Sequence, residues 1–234
     1  MNEQLELGVR RQLDNSFANF YLSGDGVRSA LVKDLQSEPA AMREELLYLW
    51  GLAGSGRSHL LQAVCNQAHD SGQCSLYLPL SQLRDEAAPE VLADLDQLDV
   101  ICLDDIDDVV NTEAWQLALF GLYNRCHQRG IRLVVSARVP PAQLSLSLAD
   151  LRSRLSAMTV FQLPPYSDAD KARILQFRAE RLGMVLSDKT ARFMLNRSSR
   201  ELTYLIERLA NLDRQTLRFQ RRLTIPFIKE IFRW

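Results

Sequence analysis

The chain predicts an α/β fold: a parallel sheet with helices on both faces, followed by a small all-helical domain. Three observations carry this reading. Apolar runs of strand length alternate with helical segments as far as Pro164. A glycine-rich turn stands between the first of those runs and a helix. After Pro164-Pro165 the pattern becomes purely helical. Continuous apolar runs, rather than alternating ones, are what strands covered on both faces require.

The elements follow in order. Residues 1–26 are a polar lead with scattered apolar anchors, Leu5, Leu7, Phe17, Phe20 and Tyr21. A helix is predicted over Val27–Leu35. Strands follow at Leu46–Trp50, Ser75–Pro79, Asp99–Leu103, Ile131–Ser136 and Thr159–Leu163. Helices alternate with them at Ser58–His69, Pro89–Leu98, Thr112–Arg129 and about Asp150–Leu155. Ser167-Asp168-Ala169-Asp170 has the form of a capped helix start. That helix runs to Leu182 and stops at Gly183. Further helices are predicted at Ser187–Asn196, about Ser199–Leu217 and Ile225–Arg233. A boundary near Pro164 gives three parts: an N-terminal tail over 1–13, an α/β domain over 14–164 and a helical domain over 165–234.

Length and charge bound the reading. A chain of 234 residues holds one α/β core and a small second domain. The net charge of -1 gives no global basic field to draw it to nucleic acid. No apolar stretch is long enough to span a bilayer, and Met1-Asn2-Glu3-Gln4 does not read as a signal peptide. The expectation is a cytoplasmic protein without membrane contact. Cys65, Cys74, Cys102 and Cys126 lack metal-ligand spacing and stand in apolar surroundings. They read as reduced core residues.

The chemistry centres on Gly51-Leu52-Ala53-Gly54-Ser55-Gly56-Arg57-Ser58. Between a strand and a helix this is a phosphate-binding loop with its lysine replaced by arginine. Backbone N–H groups of Gly54, Ser55, Gly56 and their neighbours would wrap a diphosphate, aided by the positive end of the helix opened by Ser58 and His59. Gly51 and Gly56 are expected to let the backbone approach the phosphates closely. Ser58 is placed to reach Mg²⁺. Lysine is a compact point charge, whereas Arg57 is planar and forked. Nucleotide binding should survive that exchange; efficient hydrolysis is less assured.

Val100-Ile101-Cys102-Leu103-Asp104-Asp105 is an apolar strand ending in two acids. In a phosphate-loop fold the first, Asp104, holds Mg²⁺ and the second, Asp105, polarises the attacking water. Asp107 and Asp108 read as a solvated loop. Ser136 ends the next strand, where a hydroxyl orients water or simply forms a turn. Taken alone, Arg152 and Arg154 read as a charged helix face and Arg200 as a surface arginine.

Taken in order, these motifs resemble the AAA+ ATPases, and within them the DnaA-related proteins of the Hda type. The similar segments include Tyr48-Leu49-Trp50, the loop through Leu61, Leu122-Tyr123-Asn124-Arg125, Pro140-Pro141-Ala142-Gln143-Leu144, Asp150-Leu151-Arg152-Ser153-Arg154-Leu155 and Leu223-Thr224-Ile225-Pro226-Phe227. Ser136-Ala137-Arg138-Val139 departs from the family, which more often shows Asp-Arg there.

The resemblance implies a regulator of replication initiation. Gln4-Leu5-Glu6-Leu7-Gly8-Val9 is similar to sliding-clamp motifs, so Gln4, Leu5 and Leu7 would bind the β sliding clamp of DNA polymerase III. The loop, His59 and Arg200 would hold ADP, or ATP, with Mg²⁺ at Ser58 and Asp104. Arg154 would act in trans on ATP held by DnaA, with Asp105 and Ser136 as further catalytic candidates. Phe17 and Phe20 would either stack near the adenine or pack the lead onto the core. The chain ends directly after the helical domain, without room for a helix-turn-helix, so no sequence-specific DNA contact is expected. Self-association as a homodimer stays open. An alternative is a self-sufficient AAA+ ATPase or loader acting as a homo-oligomer, against which Arg57 argues. A small-molecule kinase is a third reading, against which the helical second domain argues.

Overall fold

The computed structural model describes residues 15–22, 24, 26–37, 46–83, 88–95 and 97–234. The tail residues Gln4, Leu5 and Leu7 lie outside them. The chain divides into two compact units, 1–164 and 165–234.

The first unit is built on five parallel strands: β1 (Leu46–Trp50), β2 (Ser75–Pro79), β3 (Val100–Asp104), β4 (Arg132–Ala137) and β5 (Thr159–Gln162). Their spatial order is β2-β3-β4-β1-β5. Successive strand residues face opposite sides of the sheet, so each strand feeds two cores. Leu46 and Tyr48 of β1, Ile101 and Leu103 of β3, and Leu133 and Val135 of β4 join one cluster. That cluster includes Trp115, Leu119 and Leu122 of helix α4 (Glu113–Arg129) and Leu151 and Leu155 of α5 (Ala149–Ala157). Leu47, Leu49, Cys102 and Val134 join the other. There they meet Leu31 and Leu35 of α1 (Gly26–Gln36) and Leu60, Leu61 and Val64 of α2 (Arg57–Asp70). Fully burying a leucine contributes about 1.5–3 kcal/mol, so these interleaved rows fix the register. The edge strands β2 and β5 are only half covered or exposed.

Two arginines pin α1 to this unit. Arg28, 2 % exposed, donates through Nη2 to the Pro164 carbonyl. Arg132, at the start of β4, donates to the carbonyls of Leu35 at 3.0 Å and Asp34 at 3.3 Å. Cations favour a helix C-terminus because its last carbonyls lack intrahelical donors.

One predicted helix is corrected. Over Pro89–Leu98 the chain forms only a 3₁₀ turn at Pro89–Leu92. Asp94 takes a positive φ of 53°, which a continuing helix does not allow. A short α3 (Leu80–Leu83) follows β2 directly. The cysteine reading also changes in part. Cys102 and Cys126 are buried, but Cys65 is half-buried and Cys74 exposed, and all four are free.

The second unit holds α6 (Asp168–Arg181), α7 (Asp188–Arg197), α8 (Leu202–Phe219) and α9 (Ile225–Phe232). Its core joins Leu175 and Ala179 of α6, Met194 of α7, Leu205, Leu209 and Leu212 of α8, and Phe227 and Ile228 of α9. The expected cap of α6 forms as a reciprocal box: Ser167 Oγ accepts from the Asp170 N–H, and the Asp170 carboxylate accepts from the Ser167 N–H. Ser187 caps α7 through the Thr190 N–H.

Among the described residues no helix is long and apolar enough to cross a membrane.

Candidate functional site at the strand ends

The phosphate-type loop leaves the C-terminal end of β1 and enters α2 at Gly56. β4 lies between β1 and β3, so Ser136 stands between this loop and the acids that end β3. Ligands of open parallel sheets bind outside the carboxyl ends of the strands.

Gly56 sits at φ 103°, a conformation that suits glycine. The loop glycines also answer to protein neighbours. A Cβ at Gly51 would lie 2.5 Å from the Leu163 carbonyl oxygen. A Cβ at Gly56 would lie 2.7 Å from Cε2 of Phe20. The ring of Phe20 is buried against Gly56 and stands 5.3 Å from the His59 ring. His59 Nε2 is 2.8 Å from the Ser16 carbonyl oxygen, and Asn15 hydrogen-bonds Gln62 and Asn66 of α2. Phe17 and Phe20 thus pack the lead segment along the loop and its helix.

The acids form a tight cluster. Asp104 is 2 % exposed. One of its oxygens accepts from Ser136 Oγ and the other from the Tyr77 hydroxyl at 2.8 Å. Ser136 Oγ in turn accepts from the Asp105 N–H at 3.2 Å. Burial first, and Asp104 second, push the Tyr77 hydroxyl well above the usual tyrosine range, so it stays a donor. Asp105 is held in the left-handed region at φ 55°, ψ 51°. Its Oδ1 lies 2.9 Å from Nη2 of Arg57. Burial, then the Asp104 charge, raise the Asp105 carboxyl above its ordinary value and outweigh the opposing pull of Arg57.

Arg57 is 7 % exposed. Its Nη1 and the Ser55 Oγ are buried without a hydrogen-bond partner. Buried polar groups are nearly always paired. Two orphaned donors on one loop therefore fit an anionic ligand. Ser58 is exposed in the first turn of α2.

Other residues fall elsewhere. Arg154 is exposed on α5, with its guanidinium carbon 5.7 Å from the centre of the Tyr123 ring. Arg152 turns away and donates to the Leu146 carbonyl at 2.6 Å. Arg200 belongs to the second unit and pairs with Asp168 at 3.0 Å. It precedes the third helix of that unit, which begins at Leu202, rather than lying on it. Asp107 and Asp108 are not a solvated loop. They clamp Arg138, with Nε to Asp107 at 2.6 Å and Nη2 to Asp108.

Sequence reasoning missed Tyr77, whose only signal is that β2 pairs in register with β3.

The profile of the bacterial DnaA ATPase domain matches residues 12–161. That of the Hda lid domain matches residues 168–232. Among solved structures, domain III of the Thermotoga maritima replication initiation protein DnaA is similar with a TM-score of 0.73 at 19 % identity. It covers 94 % of this chain and 96 % of that one. AMPPCP-bound DnaA from Aquifex aeolicus gives 0.70 at 16 % identity, covering 85 % of this chain and 65 % of that one. The RuvB Holliday junction branch migration motor of Thermotoga maritima gives 0.66 at 17 % identity, covering 92 % and 70 %. At these identities the structural likeness concerns the fold; the profile matches go further. A loop, two strand-end acids and a strand-end serine on this sheet, carried by a DnaA-type ATPase domain and joined to an Hda-type lid, make the chain a member of the DnaA-related AAA+ family.

Proposed function

We propose that this protein switches off the replication initiator DnaA by stimulating hydrolysis of the ATP that DnaA holds. It would be tethered to the sliding clamp through Gln4, Leu5 and Leu7, carry ADP on its own loop, and present Arg154 to the neighbouring molecule. The single observation that carries the reading is Arg154 itself. Its guanidinium is exposed on α5, rests over the face of Tyr123 and pairs with no carboxylate among the described residues. Arg152, two residues earlier, is committed to a backbone carbonyl. An aromatic face is a weak anchor for a cation, about 0.5–1 kcal/mol at an exposed site, so Arg154 can leave it for a phosphate.

The nucleotide of this chain is supported by the two orphaned donors, Arg57 Nη1 and Ser55 Oγ. Mg²⁺ would be held by Ser58 and Asp104 and would neutralise phosphate charge. In cis, Arg57 and the loop amides bind, and Ser136 orients Asp104 and the Asp105 backbone. In trans, water attacks the γ-phosphorus of the ATP on DnaA, and inorganic phosphate leaves with DnaA–ADP remaining. The charge Arg154 brings to the developing phosphoryl charge is worth on the order of 10³–10⁵ in rate in arginine-finger systems.

The test is to incubate the protein with DnaA–ATP and clamp-loaded DNA and to follow ATP hydrolysis. Stimulation that needs both the protein and the clamp supports the proposal. Hydrolysis at the rate of DnaA alone sinks it.

A further inference from the structure

The family resemblance gives Asp105 the task of polarising water. The geometry points to another: we propose that Asp105 is a positioning residue, holding one arm of Arg57 so that the other arm is presented to the diphosphate of a bound nucleotide. This rests on the nucleotide reading above and goes beyond it.

Three observations carry the inference. First, Arg57 is almost fully buried, with Nη2 2.9 Å from Asp105 Oδ1 and Nη1 buried without a partner. One arm stands at ion-pair distance from a carboxylate, and the other faces no partner. Second, Asp105 is itself fixed. It holds a left-handed backbone conformation, φ 55° and ψ 51°, that few residues with a side chain adopt. Such conformations persist where the surroundings impose them. Here Ser136 accepts the Asp105 N–H and donates to Asp104, which Tyr77 holds from the other side. The backbone of Asp105 is thus anchored through three strands of the sheet. Third, a guanidinium fork offers separate nitrogens to a carboxylate and to a phosphate oxygen, which a single ammonium does not. The arginine in place of lysine and the second acid then become one device.

The test measures ADP affinity by calorimetry on the full chain. Asp105→Asn keeps the shape and removes the charge. Positioning predicts that ADP binds about tenfold more weakly. Asp105→Glu keeps the charge but moves the oxygen by one methylene, and positioning predicts that it too weakens ADP. In an Arg57→Lys background both substitutions should have little effect, because there is no second arm to aim. A water-polarising acid predicts the opposite: unchanged or tighter ADP in Asp105→Asn, since a negative charge near the phosphates is gone. Unchanged or tighter binding in the wild-type background, or equal losses in both backgrounds, overturns the proposal. Failure of the unmodified protein to bind ADP overturns the nucleotide reading itself, before any variant is compared.

Discussion

Gly56→Ala tests how the lead segment and the phosphate-type loop are built together. Two costs are expected. The first is conformational: at φ 103° an L-residue gives up about 1–2 kcal/mol. The second is steric. The new methyl would lie 2.7 Å from Cε2 of Phe20, a ring that is 7 % exposed and packed beside His59. Displacing a buried ring part-way costs another ~1–2 kcal/mol, by comparison with overpacked cores. The sum is roughly 2–4 kcal/mol, or a fall of roughly 5–15 °C in Tm for a unit of this size. Phe20→Ala separates the two costs. It destabilises by itself, by about 3 kcal/mol or more, but it also removes the atom that the Gly56→Ala methyl strikes. The double variant should therefore be more stable than the sum of the single effects by about 1–2 kcal/mol. Urea melts of the four proteins give the cycle. Strict additivity would show that Phe20 does not meet the loop. An unchanged Tm in Gly56→Ala would refute the whole argument.

Other outcomes follow from the same geometry. Arg154→Ala should leave ADP binding and melting unchanged yet remove stimulation of DnaA-bound ATP hydrolysis. Arg154→Lys should recover little of it, because the ammonium lacks the planar fork; full activity in Arg154→Ala rules out a trans role. Ser136→Ala should cost about 1–3 kcal/mol of stability, since it leaves the buried Asp104 oxygen and the Asp105 N–H without their partner; a melt within 1 °C of the parent would contradict the cluster. Replacing Gln4, Leu5 and Leu7 together by alanine should abolish clamp capture in a pull-down and leave the melting curve intact, and undiminished capture means that the tether lies elsewhere.

Much of the fold was legible because it is written locally. The β1 run, the glycine turn and the start of α2 are contiguous, and their periods change where the structure changes. The α6 cap was readable from four consecutive residues. The error at Pro89–Leu98 has the same origin. Leu92, Leu95 and Leu98 repeat every three residues behind a proline, the pattern of a helix start, and only the positive φ of Asp94 shows that the turn does not continue. Local pattern was outvoted by a backbone conformation the sequence does not announce. Asp107 and Asp108 were misread for a different reason. Their partner, Arg138, stands some thirty residues away, and only the pairing of β3 with β4 brings the two turns together.

The site itself divides along the same line. Its loop and acids are motif residues, so they were legible. What organises them is not. Tyr77 reaches Asp104 across 27 residues of chain, and Phe20 reaches Gly56 from the far side of α1. The first contact exists because β2 pairs with β3, and the second because the lead segment packs back along the loop and its helix. For the acid cluster, strand order is therefore the missing information. With β4 placed between β1 and β3, one serine hydroxyl at its end can touch the last residue of β3 and the backbone of the next. Had β1 and β3 been adjacent, Arg57 and Asp105 would face each other with no strand end between them, and nothing from β4 would hold Asp105 in its left-handed conformation. The position of a single strand thus links the two acids and the serine by hydrogen bonds and sets the second acid at ion-pair distance from the arginine of the loop.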